Sequence, residues 1–198
     1  FFRSLDYPVD YVGNPSVDSV AYYREKQMVG PDIFREDEGL DCRPVLALLA
    51  GSRRQEIKDN LPTMLKVAAA YPGYQPVIAG APGLEPEYYK QYIGDADVKI
   101  VFGKTYPLLS HSDAALVTSG TATLETALFR VPQVVCYYVA AGRVASFIFR
   151  HFFHTKYISL VNLIAGREVV QELFGVRFSY SQIHDELGRV LNDPAYRN

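Results

Sequence analysis

The amino-acid sequence predicts an α/β sandwich built on a parallel sheet. Short apolar runs of strand length alternate with helical patterns. Gly-rich turns directly follow several of those runs. The first strong run, residues 45–50, is apolar without interruption, as a strand covered on both faces must be. The chain has 198 residues, enough for one full core.

Taken in order, residues 8–12 have the pattern of a short strand, and Gly13-Asn14-Pro15 turns the chain. Residues 16–28 carry Val17, Val20, Ala21 and Met28 at helical spacing. Residues 30–43 are acidic and turn-rich and read as a solvent loop. After the run at 45–50 comes Gly51-Ser52-Arg53, then a helical region over 54–71. Asn60 with Pro62 suggests a second helix start inside it, and Leu61, Met64, Leu65 and Ala68 form its inward stripe. Strands follow at 75–79, 98–102, 114–118 and 133–138, with helices at 85–93, 106–111 and 122–129 between them. Residues 144–153 form an aromatic helix, 162–174 a loop and a helix, and 181–191 an amphipathic helix with Ile183, Leu187, Val190 and Leu191 inward. Residues 192–198 read as a frayed end.

Composition excludes several classes. Apolar content of 48% and charged content of 21% are those of a globular protein, and a net charge of −2 gives nothing global to recruit nucleic acid. Cys42 and Cys136 match no metal or disulfide pattern. No Gly-x-Gly-x-x-Gly, Walker loop or Gly-x-Ser-x-Gly is present. The histidines His111, His151, His154 and His184 lack companions that would complete a metal set, so no metal is expected. Charge is unevenly placed: residues 126–167 hold Arg130, Arg143, Arg150, Lys156 and Arg167 but no Asp or Glu, a basic field suited to an anionic ligand or surface. The first residue is Phe1 and the opening is abrupt, as expected of a fragment of a longer chain.

Three strings carry candidate chemistry. Gly51-Ser52-Arg53 follows a buried strand, where ligands of open parallel sheets bind; Gly permits close approach, Ser offers a hydroxyl and Arg a bidentate clamp for phosphate. A tight turn followed by a solvent arginine is the bland alternative. Ser119-Gly120-Thr121 also follows an apolar strand and opens a helix, whose free N–H groups suit a diphosphate. Glu125 stands one turn further on, where a carboxylate can accept both hydroxyls of a ribose; the alternative is Thr121 as an ordinary N-cap. In the third string, 162–168, Asn162 and Arg167 flank an apolar Leu-Ile-Ala core, either gripping a polar ligand or capping a helix. The aromatic helix fits core packing, a face for lipid or an acyl chain, or a dimer interface.

Together these strings resemble the lipid-A-disaccharide synthase family. The resemblance rests on Leu48-Leu49-Ala50-Gly51-Ser52-Arg53 with Glu56-Ile57, on residues 112–125 ending Ser-Gly-Thr-Ala-Thr-Leu-Glu, on residues 132–137, and on Ser159-Leu160-Val161-Asn162-Leu163-Ile164-Ala165-Gly166-Arg167-Glu168. Residues 11–15 resemble the segment that enters the family's C-terminal domain. Val161 and Ala50 stand where proline is common in the family.

The resemblance implies a Rossmann-like parallel sheet, the C-terminal domain of a GT-B glycosyltransferase. It divides the chain into 1–15, leading in from a missing N-terminal domain, a UDP-sugar donor-binding domain at 16–191, and a tail at 192–198. It implies inverting transfer of 2,3-diacylglucosamine from UDP-2,3-diacylglucosamine to 2,3-diacylglucosamine 1-phosphate (lipid X), releasing UDP, with no cofactor because the UDP-sugar is a substrate. Arg53 and Asn162 match residues important for activity, Glu125 the ribose position, and Ser119, Gly120 and Thr121 the diphosphate loop; Gly51, Ser52 and Arg167 belong to the same pocket. The acceptor site and general base lie in the N-terminal domain, so no residue here takes the base's role. The implied setting is cytoplasmic, peripheral on the inner membrane, with a homodimer as a further option. Alternatives are another GT-B UDP-sugar enzyme (a peptidoglycan N-acetylglucosaminyltransferase or a UDP-sugar 2-epimerase) or a non-catalytic nucleotide-binding module.

Overall fold

The computed structural model describes residues 8, 10, 12–118, 120–139 and 157–197. Its centre is β1 (Val45–Leu49), every residue of which is buried. Around it lie β2 (Gln75–Gly80), β3 (Lys99–Phe102), β4 (Ala114–Val117), β5 (Gln133–Tyr137) and β6 (Glu172–Phe174), in the order β3-β2-β1-β4-β5-β6. All five pairings are parallel.

Helices cover both faces, which is why β1 can be apolar throughout. Its even residues, Leu46 and Leu48, join a core with Ile57, Leu61 and Met64 of α3 (Arg54–Ala68) and Ile183 and Leu187 of α8 (Tyr180–Asn192). Its odd residues, Val45, Ala47 and Leu49, join Val20 and Tyr23 of α1 (Pro15–Lys26), Phe34 of α2 (Pro31–Glu38), and Leu108 and Leu109 of α5 (Thr105–Ser110). The period-two alternation of a strand thus feeds two separate layers. The remaining helices are α4 (Pro86–Ile93), α6 (Thr121–Leu128), α7 (Leu160–Ala165) and a short α9 (Pro194–Arg197).

Five local expectations are corrected. The supposed solvent loop at 30–43 contains α2: Pro31 starts it, Asp32 sits in its first turn, and Gly39 ends it in a left-handed conformation at φ +61°. Phe34, 2% exposed, ties this short acidic helix to the core. Residues 54–68 form one helix that carries Pro62 inside it, with no second start. Asn60 is buried there; its Nδ2 donates to Glu56 O at 2.7 Å, and its Oδ1 accepts from Tyr138 N at 2.8 Å. Residues 172–174, expected within a loop and helix, form β6 instead. The tail is not frayed throughout: α9 puts the Tyr196 hydroxyl on Glu186 and the Arg189 guanidinium over the Tyr196 ring at 4.0 Å. The expected strand at 8–12 is not seen at Pro8, Asp10 and Val12, which have no regular structure. The aromatic helix at 144–153 lies outside the described residues.

Candidate functional site

Leu49 pairs with Val117, so β1 and β4 end level with one another. On one side of this pair the chain proceeds to β2 and β3, on the other to β5 and β6. Connections therefore leave in opposite directions here, which opens a crevice at the carboxyl ends of the two strands. A cavity of about 530 Å³ occupies that position, lined by Gly51, Ser52, Arg53, Glu56, Thr118, Gly120, Thr121 and Glu125, with Ala79–Pro82 and Thr105 completing the wall.

The turn after β1 is held by one side chain. Glu56, in the first turn of α3, folds back so that its Oε2 accepts from Ser52 N at 2.9 Å and Arg53 N at 3.3 Å. This requires glycine at 51: φ is +110°, and a Cβ there would stand 2.6 Å from Glu56 Cβ and from its Oε2. The Arg53 guanidinium lies 3.7 Å from Glu56 Oε1 but is 83% exposed at the cavity rim. An exposed pair of this kind contributes little to stability and leaves the arginine able to turn toward an anion.

The turn after β4 is built differently. Gly120 is the N-cap of α6, at φ +138°, and supplies no side-chain cap. Thr121 is the first helical residue rather than the cap; Thr123 N turns back onto Gly120 O at 3.2 Å, and Thr121 and Ala122, which line the cavity, have no side-chain cap on their N–H groups among the described residues. That is the arrangement of an anion site: free donors and the positive end of the helix dipole. Thr123 Oγ1 donates to Gly120 O at 2.8 Å and steadies the turn. Thr118, 2% exposed, lines the cavity, and among the described residues its hydroxyl has no hydrogen-bond partner. Ser119 lies outside the described residues.

Glu125 lines the same cavity from α6. The Tyr106 hydroxyl donates to its Oε1 at 2.9 Å. Burial, followed by the neighbouring Glu125 carboxylate, pushes the Tyr106 phenol up to about 12, so it remains a donor at neutral pH.

The structure thus brings together Gly51, Ser52, Arg53, Gly120, Thr121 and Glu125. Asn162 and Arg167 do not line this cavity. Asn162, fully buried in α7, is saturated by its own chain: Nδ2 donates to Val170 O at 2.8 Å and Glu172 Oε1 at 2.9 Å. Its Oδ1 accepts from Val169 N at 2.7 Å and Val170 N at 3.1 Å. Glu172 also receives Ile158 N, Ser159 N and the Ser159 hydroxyl. Since Val117 pairs with Val135, and Val135 with Glu172, this network stands level with the end of β4, two strands away. It fixes the turn that presents Arg167, which is exposed.

Sequence reasoning gave no role to Glu56, Ala79–Pro82, Thr105, Tyr106 or Thr118, although Glu56 and Thr118 lie within the strings that carry the resemblance. Gly80-Ala81-Pro82-Gly83 has the composition of a turn, but only the strand order shows that β2 ends beside β1. Among the described residues no group of three His, Cys, Asp or Glu side chains could hold a metal, and no helix is long and apolar enough to cross a membrane.

Comparison with known proteins agrees with this geometry. The model of the lipid-A-disaccharide synthetase family matches residues 1–195. The lipid-A-disaccharide synthase of Myxococcus xanthus (strain DK1622) is 36% identical over 200 residues, covering 96% of this chain and 50% of that protein. The enzyme of the same name from Anaeromyxobacter dehalogenans (strain 2CP-1) is 34% identical over 206 residues, covering 100% of this chain and 51% of its own length. The chain therefore spans about half the length of the curated relatives it matches. Among solved structures, UDP-GlcNAc 2-epimerase from Neisseria meningitidis bound to UDP-GlcNAc superposes with a TM-score of 0.68 at 18% identity, over 98% of this chain and 51% of the other. WaaG, a glycosyltransferase involved in lipopolysaccharide biosynthesis, gives 0.59 at 15% identity, over 87% of this chain and 45% of the other. These two likenesses concern the fold and agree with a Rossmann-like, GT-B-type half. On the family match and the relatives at this identity, the chain belongs to the lipid-A-disaccharide synthetase family.

Proposed function

We propose that this chain is the donor-binding half of a lipid-A-disaccharide synthase and holds UDP-2,3-diacylglucosamine in the cavity between β1 and β4. The observation that carries this is the convergence of Arg53, the uncapped start of α6 and Glu125 on one cavity at the switch point. Glu125 accepts the ribose hydroxyls, and the Gly120–Thr121 turn with Arg53 takes the diphosphate. Gly51 and Ser52 let the donor approach the backbone closely.

In the transfer, the acceptor hydroxyl of 2,3-diacylglucosamine 1-phosphate gives its proton to a general base of the N-terminal half. The oxygen attacks the anomeric carbon from the face opposite UDP, and the bond from that carbon to the diphosphate oxygen breaks with inversion. Arg53 and the α6 N-terminus offset the negative charge that grows on the departing UDP. Asn162 contributes by shaping the turn that carries Arg167 toward the donor. Closure of the two halves excludes water. We further propose that the whole enzyme works at the cytoplasmic face of the inner membrane, where its acylated substrates reside, and that homodimerisation is compatible with this arrangement.

Titration calorimetry of UDP into the chain tests the donor site: binding to wild type, with a loss of roughly tenfold or more in Arg53→Ala, supports it. Saturating UDP that releases no heat, at several temperatures, contradicts it. The chain alone transfers no sugar; turnover by the isolated chain refutes the assignment of the base to the other half.

A further inference from the structure

The Glu125 carboxylate sits on a three-torsion arm, and left free it would lose rotamer freedom on binding a diol. The structure restrains it from outside its own helix. Tyr106, the second residue of α5, reaches across to α6, and its hydroxyl donates to Glu125 Oε1 at 2.9 Å. The Tyr106 ring is itself fixed. It meets Tyr23 edge-on at 5.7 Å and 73°, and lies 5.3 Å from Phe129 at 55°. Tyr23 and Phe129 are buried and touch each other edge-on at 5.8 Å. Three aromatic rings from α1, α5 and the end of α6 thus make a rigid mount for one phenol. Among the described residues Glu125 Oε2 has no hydrogen-bond partner, so the carboxylate presents open acceptor sites to the cavity.

We propose that Tyr106 is a positioning residue that presets the Glu125 carboxylate for a vicinal diol, and so sets the preference of the site for ribose over deoxyribose. This rests on the nucleotide assignment of the cavity. A carboxylate with one oxygen pinned and the other open can accept from two adjacent hydroxyls in one orientation only. A carboxylate free to rotate pays an ordering cost for the diol and discriminates less against a ligand that lacks one hydroxyl. Tyr106 touches no ligand in this arrangement; it acts through Glu125.

The test is calorimetric titration of wild type, Tyr106→Phe and Glu125→Gln with UDP and with 2′-deoxy-UDP. Tyr106→Phe keeps the ring mount and removes one oxygen, and thermal melting verifies that it folds. Wild type is expected to prefer UDP over the 2′-deoxy analogue by roughly tenfold, the size of one charge-assisted hydrogen bond. Tyr106→Phe is expected to weaken UDP by about fivefold to tenfold and to bring the two ligands within roughly twofold of each other, as Glu125→Gln does. A merely structural role for Tyr106 weakens both ligands equally and keeps their ratio; that result overturns the proposal while leaving the nucleotide site standing. Wild-type binding that ignores the 2′-hydroxyl also overturns it. Absence of UDP binding to wild type overturns both the nucleotide assignment and this inference.

Discussion

Removing the Asn162 amide separates a role in shape from a role in ligand contact. In Asn162→Ala, four hydrogen bonds disappear: two made by Nδ2 to Val170 O and Glu172 Oε1, and two accepted by Oδ1 from Val169 N and Val170 N. At about 1 kcal/mol net for each bond, the loss totals about 4 kcal/mol. Water lowers that figure at Val169, which is 48% exposed. Glu172 loses less than a full desolvation cost because Ile158 N, Ser159 N and the Ser159 hydroxyl still reach it. The expected cost is about 3 kcal/mol, or a fall in Tm of about 6–12 °C for a chain of this size. Urea denaturation with a shared slope measures it. Loss of the buried amide should therefore lower stability and UDP affinity together, with affinity recovering where the variant is fully folded at low temperature. A stability loss below about 1 kcal/mol would refute the bracket described for this turn.

Gly51→Ala forces a Cβ into Glu56 at a positive φ, so it should cost roughly 2–3 kcal/mol and release the Ser52 and Arg53 amides; thermal melting and amide exchange at those two residues check it. Thr118→Val removes a buried hydroxyl that has no partner among the described residues, and should raise the stability of the unliganded chain by about 1 kcal/mol; a comparable loss in a urea titration would show that the hydroxyl is already satisfied. Tyr92, Tyr106 and Tyr196 are each pushed up to about 12, chiefly by burial, from an ordinary value of 10.0. The folded state then holds protons that the unfolded chain releases, so stability should be flat below pH 10 and fall as pH rises toward about 12. Ultraviolet titration of tyrosinate should show these ionisations coinciding with unfolding; full ionisation in a chain that stays folded contradicts it.

How much was legible depended on whether a signal was local. The apolar run at 45–50 announces a strand buried on both faces, because each residue has to be apolar to meet one of two helix layers. The turns after β1 and β4 were legible because glycine is needed there, to admit Glu56 at one and to form the uncapped helix start at the other. α2 was hidden because Phe34 is the sole buried residue in an acidic octet, and its burial depends on a distant core. β6 was hidden because three residues carry no periodicity; Glu172, a buried carboxylate in a strand, is placed by its donors rather than by its propensity. The candidate pocket shows the same division. Arg53, Gly120 and Glu125 stand out in short strings, whereas Thr105 and the Ala79–Pro82 turn reach the cavity only through strand order, and Tyr106 only through its bond to Glu125. Asn162 was legible as a special residue, but its four partners, and so its bracing role, were not.

The central claim is that UDP sits at the carboxyl ends of β1, β2 and β4. A second cavity of about 410 Å³ makes the alternative concrete: it is lined by Arg130, Pro132, Gln133 and Gln171 at the amino end of β5. Backbone amide shifts followed by nuclear magnetic resonance during a UDP titration distinguish the two most directly. The account predicts that the shifts concentrate in residues 51–56, 79–82 and 118–125. Shifts confined to residues 130–133 and 169–171, or none at saturating UDP, would contradict it.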